Sequence, residues 1–337
     1  MGWLLDQIFT LIGLGLLLLI AAAVAAPLES LGWWAGWTGK APALTDIDLD
    51  EVEEQEKIAP PPEKDYYVVY LSGIGVATAD GLAPDEVDFL NQLATIMPEA
   101  QIITDVFPYS VNNNPLTGHR ALSPLWRKIR DIQNKNPDSM IAMISINLRN
   151  TLQVAVSADP RYGPIYSLGV AQEIGRSLAR HGYRLGSGKP VFVIGFSGGG
   201  QVSVGCAPYL SPLVNAPVYI ISVGGVISDD PGVRHVKHLT HLFGEKDPIQ
   251  KMGEILWAGR WPIMKQSVWN QVKAQGKIEM IDMGPMAHNM LGGYYDVRVS
   301  FPDGVNYCET TANMVKKTIV TAGQVLDSAE NRAVDAS

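Results

Sequence analysis

Basic residues are missing where they would say most. No lysine or arginine precedes Lys40, so the apolar N-terminus carries no positive flank from which a membrane orientation could be read. Of the net charge of −8, −1 falls in residues 1–40 and −7 in residues 41–65, which leaves residues 66–337 neutral. A neutral main domain gives no electrostatic footprint for nucleic acid. Cysteine is scarce as well. Cys206 and Cys308 are the only two, too few for a disulfide framework and without metal-type spacing. Both read as buried thiols, with a single bridge between them as the alternative. A phosphate-cradling G-x-x-x-x-G-K-[ST] loop and an HExxH helix are also lacking, so neither a cofactor nor a metal is implied.

What is present first is a membrane-type segment. Phe9 to Ala26 reads FTLIGLGLLLLIAAAVAA, apolar apart from Thr10, and about 20 apolar residues span a bilayer as a helix. Trp33, Trp34 and Trp37 follow, as expected of aromatic anchors at an interface. Residues 1–40 therefore read as an uncleaved anchor with an aromatic flank, placing the protein on a membrane through its N-terminal helix. The small residues Ala23 to Ala25 also fit a signal-peptide cleavage site, which would make the mature protein secreted. Residues 41–65 are acidic, contain Pro60 to Pro62 and lack aromatics until Tyr66. They read as a solvated tether holding the domain of residues 66–337 off an anionic surface.

From Tyr66 the pattern changes to short β-branched runs alternating with helical stretches. Strands are expected at Tyr66–Leu71, Ala100–Tyr109, Pro190–Phe196, Ala216–Val226, His238–Gly244 and Lys277–Met283. Helices are expected at Pro84–Met97 and Tyr166–Tyr183, from Gly199 onward, and at Thr310–Leu326. Such alternation implies α/β architecture with a mostly parallel sheet flanked by helices. Sites in such sheets lie at the carboxyl ends of the strands. Residues 112–163 break the rhythm with two further helical stretches, LSPLWRKIRDIQNKN and PDSMIAMISINLRNTLQVAVSAD. They read either as a helical cap or as two extra packing helices. Their cluster Arg120, Arg127, Lys128 and Arg130 reads as a solvated face.

Four glycines surround Ser197 in the stretch VIGFSGGG. Gly195-Phe196-Ser197-Gly198-Gly199 fits G-x-S-x-G, and it follows a strand and opens a helix, as a nucleophile elbow must. Side chains two positions either side of the serine would collide in that turn, which asks for Gly195 and Gly199. A serine nucleophile needs a base, and the base an orienting acid. His288 follows the last strand, and Asp247, in FGEKDPI, follows the strand before it. Asp247-Pro248 also reads as a plain helix start, and Asp229 and Asp230 are the alternative acids. The turn SGIG (Ser72 to Gly75) after the first strand offers the Ile74 N–H, which with the Gly198 N–H would make an oxyanion hole.

From Tyr66 to Leu326 the sequence resembles the α/β-hydrolase superfamily, on the elbow GFSGG, the acid in GEKDP and the base in GPMAHN. Its departures are Ser72-Gly73 where the family's oxyanion loop usually has His-Gly, and a short connection between residues 226 and 238 where the family's lid commonly sits. The resemblance implies an α/β-hydrolase fold, with residues 112–163 standing in for the lid. It also implies a serine esterase or lipase-like enzyme with Ser197, His288 and Asp247 as catalytic residues and Ile74 and Gly198 as oxyanion donors. With the N-terminal segment, the expected substrate is an acyl or lipid ester near a membrane. A fold retained as a non-catalytic scaffold of a membrane complex is the alternative.

Overall fold

The computed structural model describes residues 25–37, 62–118, 123–136 and 139–335, apart from four isolated positions before residue 25. The apolar run Phe9–Ala26 and the acidic stretch 41–61 lie almost wholly outside the described residues. Among the described residues no helix is long and apolar enough to cross a membrane.

Six strands make one fully parallel sheet: β1 (Tyr66–Leu71), β2 (Ala100–Ile103), β3 (Val191–Phe196), β4 (Val218–Val223), β5 (His238–Phe243) and β6 (Ile278–Asp282), in the order β2-β1-β3-β4-β5-β6. β3 and β4 are buried at every position and almost wholly apolar because both faces are covered. Tyr67, Val69 and Leu71 of β1 join Val191 and Val193 of β3 in one core, while Val68, Tyr70, Phe192 and Ile194 face the other. The helices, in chain order, are α1 (Leu28–Trp34), α2 (Pro84–Ile96), α3 (Ser123–Lys135), α4 (Met140–Ala158), α5 (Gly163–Arg180), α6 (Gly198–Val214), α7 (Met252–Leu256), α8 (Val268–Ala274) and α9 (Tyr307–Asp335). α5, α6 and α8 lie on the first face, and α2 and α9 on the second.

The chain runs outward from β1 to β2 and then returns to place β3 on the other side of β1. This reversal opens a crevice at the carboxyl ends of β1 and β3, where such sheets bind ligands. Ser72–Gly75 leaves β1 at that edge, and Ser197 leaves β3 beside it.

Two local outcomes differ from the sequence expectations, and one extends them. The strand expected over Ala100–Tyr109 stops at Ile103. Asp105 is captured there by Ser177 and by Arg180 (2.9 Å) on α5, and the Asn113 amide donates to the Asp105 carbonyl at 2.8 Å, so the chain turns over the end of the sheet. The helix after the elbow continues through Pro208 and Pro212 to Val214, ending at Asn215 in the left-handed region (φ 47°). The tryptophan flank does not stand apart from the domain. α1 packs on α5, with the Trp33 ring tip at the Cα of Gly169, and its Glu29 pairs with Arg149 of α4 at 2.7 Å. Trp34 and Trp37 remain exposed.

Candidate active site

Backbone geometry comes first. Ser197 has φ 53° and ψ −119°, a conformation that L residues other than glycine rarely hold. Three hydrogen bonds enforce it: the Ser197 N–H donates to the Val223 carbonyl (3.1 Å), and its own carbonyl accepts from Gly200 and Val226 (3.1 Å each). A Cβ on Gly195 would stand 2.6 Å from the Gly199 carbonyl oxygen, and one on Gly199 would overlap the Leu71 carbonyl. The glycines two positions either side of the serine are thus required by contact with backbone, which no rotamer change could relieve. α6 begins at Gly198, so the serine sits at the positive end of a 17-residue helix.

Three side chains from three strand ends then meet in line. The Ser197 hydroxyl lies 2.8 Å from His288 Nε2, and His288 Nδ1 lies 2.8 Å from Asp247 Oδ2. Asp247 is fully buried, and its two oxygens divide their work. Oδ1 accepts the N–H groups of Ile249 (2.8 Å) and Gln250 (3.2 Å), which is the turn-capping role its Asp-Pro context suggested. Oδ2 faces His288 and also accepts from the Tyr294 hydroxyl at 2.7 Å. Burial pushes the Asp247 carboxyl up, but the hydrogen bonds from His288, Tyr294 and the Gln250 N–H outweigh it, and its pKa falls below the ordinary value. Burial, together with the Asp247 charge, pushes the Tyr294 phenol far up, so it stays a donor. The Phe196 ring stacks on the imidazole at 5.3 Å between centroids, fixing its plane.

The alternative acids are placed elsewhere. Asp230 accepts from the Gly232 N–H and the Gln201 amide (2.8 Å each), and Asp229 lies against Gly259. Neither is hydrogen-bonded to His288.

The loop that carries Ile74 packs against the elbow that carries Gly198. Gly73 sits where a Cβ would be 3.6 Å from Ser197 Cβ, and the Ile74 side chain covers Gly198. Among the described residues neither the Ile74 N–H nor the Gly198 N–H has a hydrogen-bond partner. Two amides without a partner beside the Ser197 hydroxyl are an arrangement that could receive negative charge on an oxygen placed there. Val154 of α4 also reaches over Gly198, so the 112–163 segment forms a wall of the crevice. Ser197 and His288 keep 6% and 8% exposure, so both side chains are almost wholly buried.

Several supporting residues were not singled out in the sequence. Tyr294, in GGYYD, holds the acid. Glu86 accepts from the Gly73 N–H (3.0 Å), the Tyr70 hydroxyl (2.8 Å) and the Ala83 N–H (3.0 Å). Burial raises its pKa despite those bonds. Behind the acid, buried His241 lies 3.0 Å from the Ser222 hydroxyl and 3.4 Å from the Gln250 side-chain carbonyl. Burial, aided by the nearby Arg260 charge, lowers its pKa to about 4, so it is neutral at pH 7. Glu86 and His241 carried only helical or strand periodicity, and Tyr294 lies in the irregular stretch after the last strand, so nothing local marked them out.

No protein-family model matches the chain, and no curated protein matches it. The architecture on its own terms is α/β, a parallel sheet flanked by helices.

Proposed function

We propose that the protein is a serine hydrolase of the α/β-hydrolase type that cleaves a carboxylic ester through an acyl-enzyme. The observation that carries this reading is the unbroken line Ser197 Oγ–His288 Nε2 and His288 Nδ1–Asp247 Oδ2, each 2.8 Å, at an elbow whose serine holds a strained backbone conformation. His288 takes the Ser197 proton as the oxygen attacks the acyl carbon. Gly198 and Ile74 N–H groups receive the negative charge on the former carbonyl oxygen. His288 then protonates the departing alkoxide, leaving an acyl group on Ser197. Water repeats the sequence in reverse roles and releases the acid. Asp247 keeps the proton on Nδ1 throughout, so that Nε2 is free to accept.

The substrate class follows from the surroundings of the site. The apolar side chains beside the serine and histidine, Ile74 and Val154 over Gly198 and Phe196 on His288, suit an acyl chain. The apolar run Phe9–Ala26 would hold the enzyme at a membrane, where lipid esters are at hand. The test is a fluorophosphonate probe applied to the full-length protein beside Ser197→Ala. Labelling of the wild type alone is expected. A folded wild type that takes no label would refute the mechanism and leave the scaffold reading.

A further inference from the structure

The two N–H donors differ in how they are held. Gly198 is the first residue of α6 and inherits its position from the helix. Ile74 lies in a loop with no regular structure, so something else must aim it. Four buried side-chain contacts do. The Ser72 carbonyl accepts from the Tyr109 hydroxyl (2.7 Å), and the Gly73 N–H donates to Glu86 (3.0 Å), so the peptide between Ser72 and Gly73 is gripped at both ends. The Asn150 side-chain amide then donates to the carbonyls of Ile74 and Val76, 2.7 Å each. Asn150 has no exposed surface and belongs to α4, outside the sheet.

Asn150 is itself oriented from a distance. Its carbonyl accepts from Arg149 Nη1 at 3.1 Å, which leaves only its NH2 to face the loop. The same Nη1 donates to the Tyr109 backbone carbonyl at 2.5 Å. Arg149 Nη2 pairs with Glu29 of α1 at 2.7 Å. Nearby, the Gln153 amide donates to the Ala26 carbonyl at 3.3 Å.

We infer that Glu29, Arg149 and Asn150 form a positioning relay through which the N-terminal segment sets the aim of the Ile74 N–H. The inference rests on the hydrolase reading above. The carboxylate fixes the guanidinium. The planar guanidinium, with donors in a fixed fork, fixes the Asn150 amide and the Tyr109 backbone together. Those two residues then hold three of the loop carbonyls. None of the relay residues touches substrate. The loop matters most when charge develops on the acyl oxygen, so loss of the relay weakens transition-state binding and leaves ground-state binding alone. The segment that continues the apolar run into the domain thereby becomes part of the catalytic support.

The experiment measures kcat and KM for p-nitrophenyl butyrate with full-length wild type, Ser197→Ala, Glu29→Ala, Arg149→Lys, Asn150→Ala and Glu29→Ala/Asn150→Ala, with thermal unfolding of each. Arg161→Ala serves as control, since Arg161 pairs with Asp159 beside α4 and lies over the Tyr162 ring, outside the chain from Glu29 to Asn150. Activity in the wild type and none in Ser197→Ala establishes the parent reading; an inactive folded wild type refutes that reading and this one with it. Given an active wild type, Asn150→Ala is expected to lose about 100-fold in kcat, the scale of one misplaced oxyanion donor, with KM within about twofold. Glu29→Ala and Arg149→Lys should each lose about 5- to 10-fold in kcat at a temperature where they remain folded, with some fall in Tm because the pair is largely buried. Arg161→Ala should match the wild type. The double variant should be no slower than Asn150→Ala alone, as members of one chain are not additive. Should Asn150→Ala not fold, Glu29→Ala decides. A Glu29→Ala kcat within twofold of wild type, a change confined to KM, or effects that multiply in the double variant would each overturn the relay.

Discussion

Replacing Asp247 with asparagine separates the two tasks of that carboxylate. The substituted side chain has one carbonyl and one NH2 to divide between two sets of neighbours. If the NH2 takes the Oδ1 place, it opposes the N–H groups of Ile249 and Gln250. Two buried donors would lose their acceptor, at about 1–3 kcal/mol each. If it takes the Oδ2 place, it faces Tyr294 and His288. The tyrosine hydroxyl can accept as well as donate, and His288 can move its proton from Nδ1 to Nε2. The second arrangement costs less and is the one expected. Folding stability should then fall by no more than about 1–2 kcal/mol. The chemistry takes the larger loss. An imidazole protonated on Nε2 cannot receive the Ser197 proton, and the wrong tautomer lowers kcat by about 10⁴, or about 5 kcal/mol of barrier. Ester turnover, the fluorophosphonate labelling rate and Tm should be measured on the same preparation. A folded Asp247→Asn protein with kcat within tenfold of wild type would show that the Asp247–His288 contact is not part of the chemistry.

Three further outcomes follow from the geometry. Tyr294→Phe removes a donor from Asp247 and leaves the Gly244 N–H, which is 2.8 Å from the phenol oxygen, without its acceptor. Chemical denaturation should show a loss of about 1–3 kcal/mol, and the Asp247 carboxyl should titrate higher. Gly199→Ala drives a methyl group into the Leu71 and Ser72 carbonyls, so soluble yield and phosphonate labelling should both collapse, and a folded, active variant would contradict the elbow's geometry. The buried His241 has a folded pKa of about 4 against 6.5 unfolded, so the unfolded state binds the extra proton between those values. Stability is therefore complete above pH 6.5 and declines as pH falls toward 4, by about 3 kcal/mol. Denaturation midpoints from pH 7.5 to 4.5 should show this slope in wild type and a shallower one in His241→Asn.

The sheet was legible because its strands are apolar at successive positions, with turn residues between them, and burial on both faces demands that pattern. The elbow was legible because a serine at positive φ with backbone pressed against it leaves only glycine two positions away, and that requirement is written in five consecutive residues. His288 and Asp247 could be picked out because each follows a strand. The rest depends on partners far apart in the chain. The stretch TDVFPY reads as strand, yet Asp105 finds Ser177 and Arg180 more than seventy residues on and leaves the sheet. Glu86 reads as an ordinary first-turn helix acid, and nothing in APDE announces that it will reach Gly73. Asn150 looks like one polar position in an apolar helix. Trp33, beside an apolar run, has the signature of an interface anchor, and only the close approach allowed by Gly169 turns it onto the domain.

The conformation of Ser197 also bears on how this sequence could drift. A residue other than glycine at φ 53° and ψ −119° carries about 1–3 kcal/mol of strain. Glycine at that position would relieve it, and among the described residues the serine hydroxyl bonds to His288. Selection for a stable particle alone would let that easy gain accumulate. A serine at this point is the costlier choice for the fold, and the hydrolase reading proposed above gives its oxygen the work that would offset that cost.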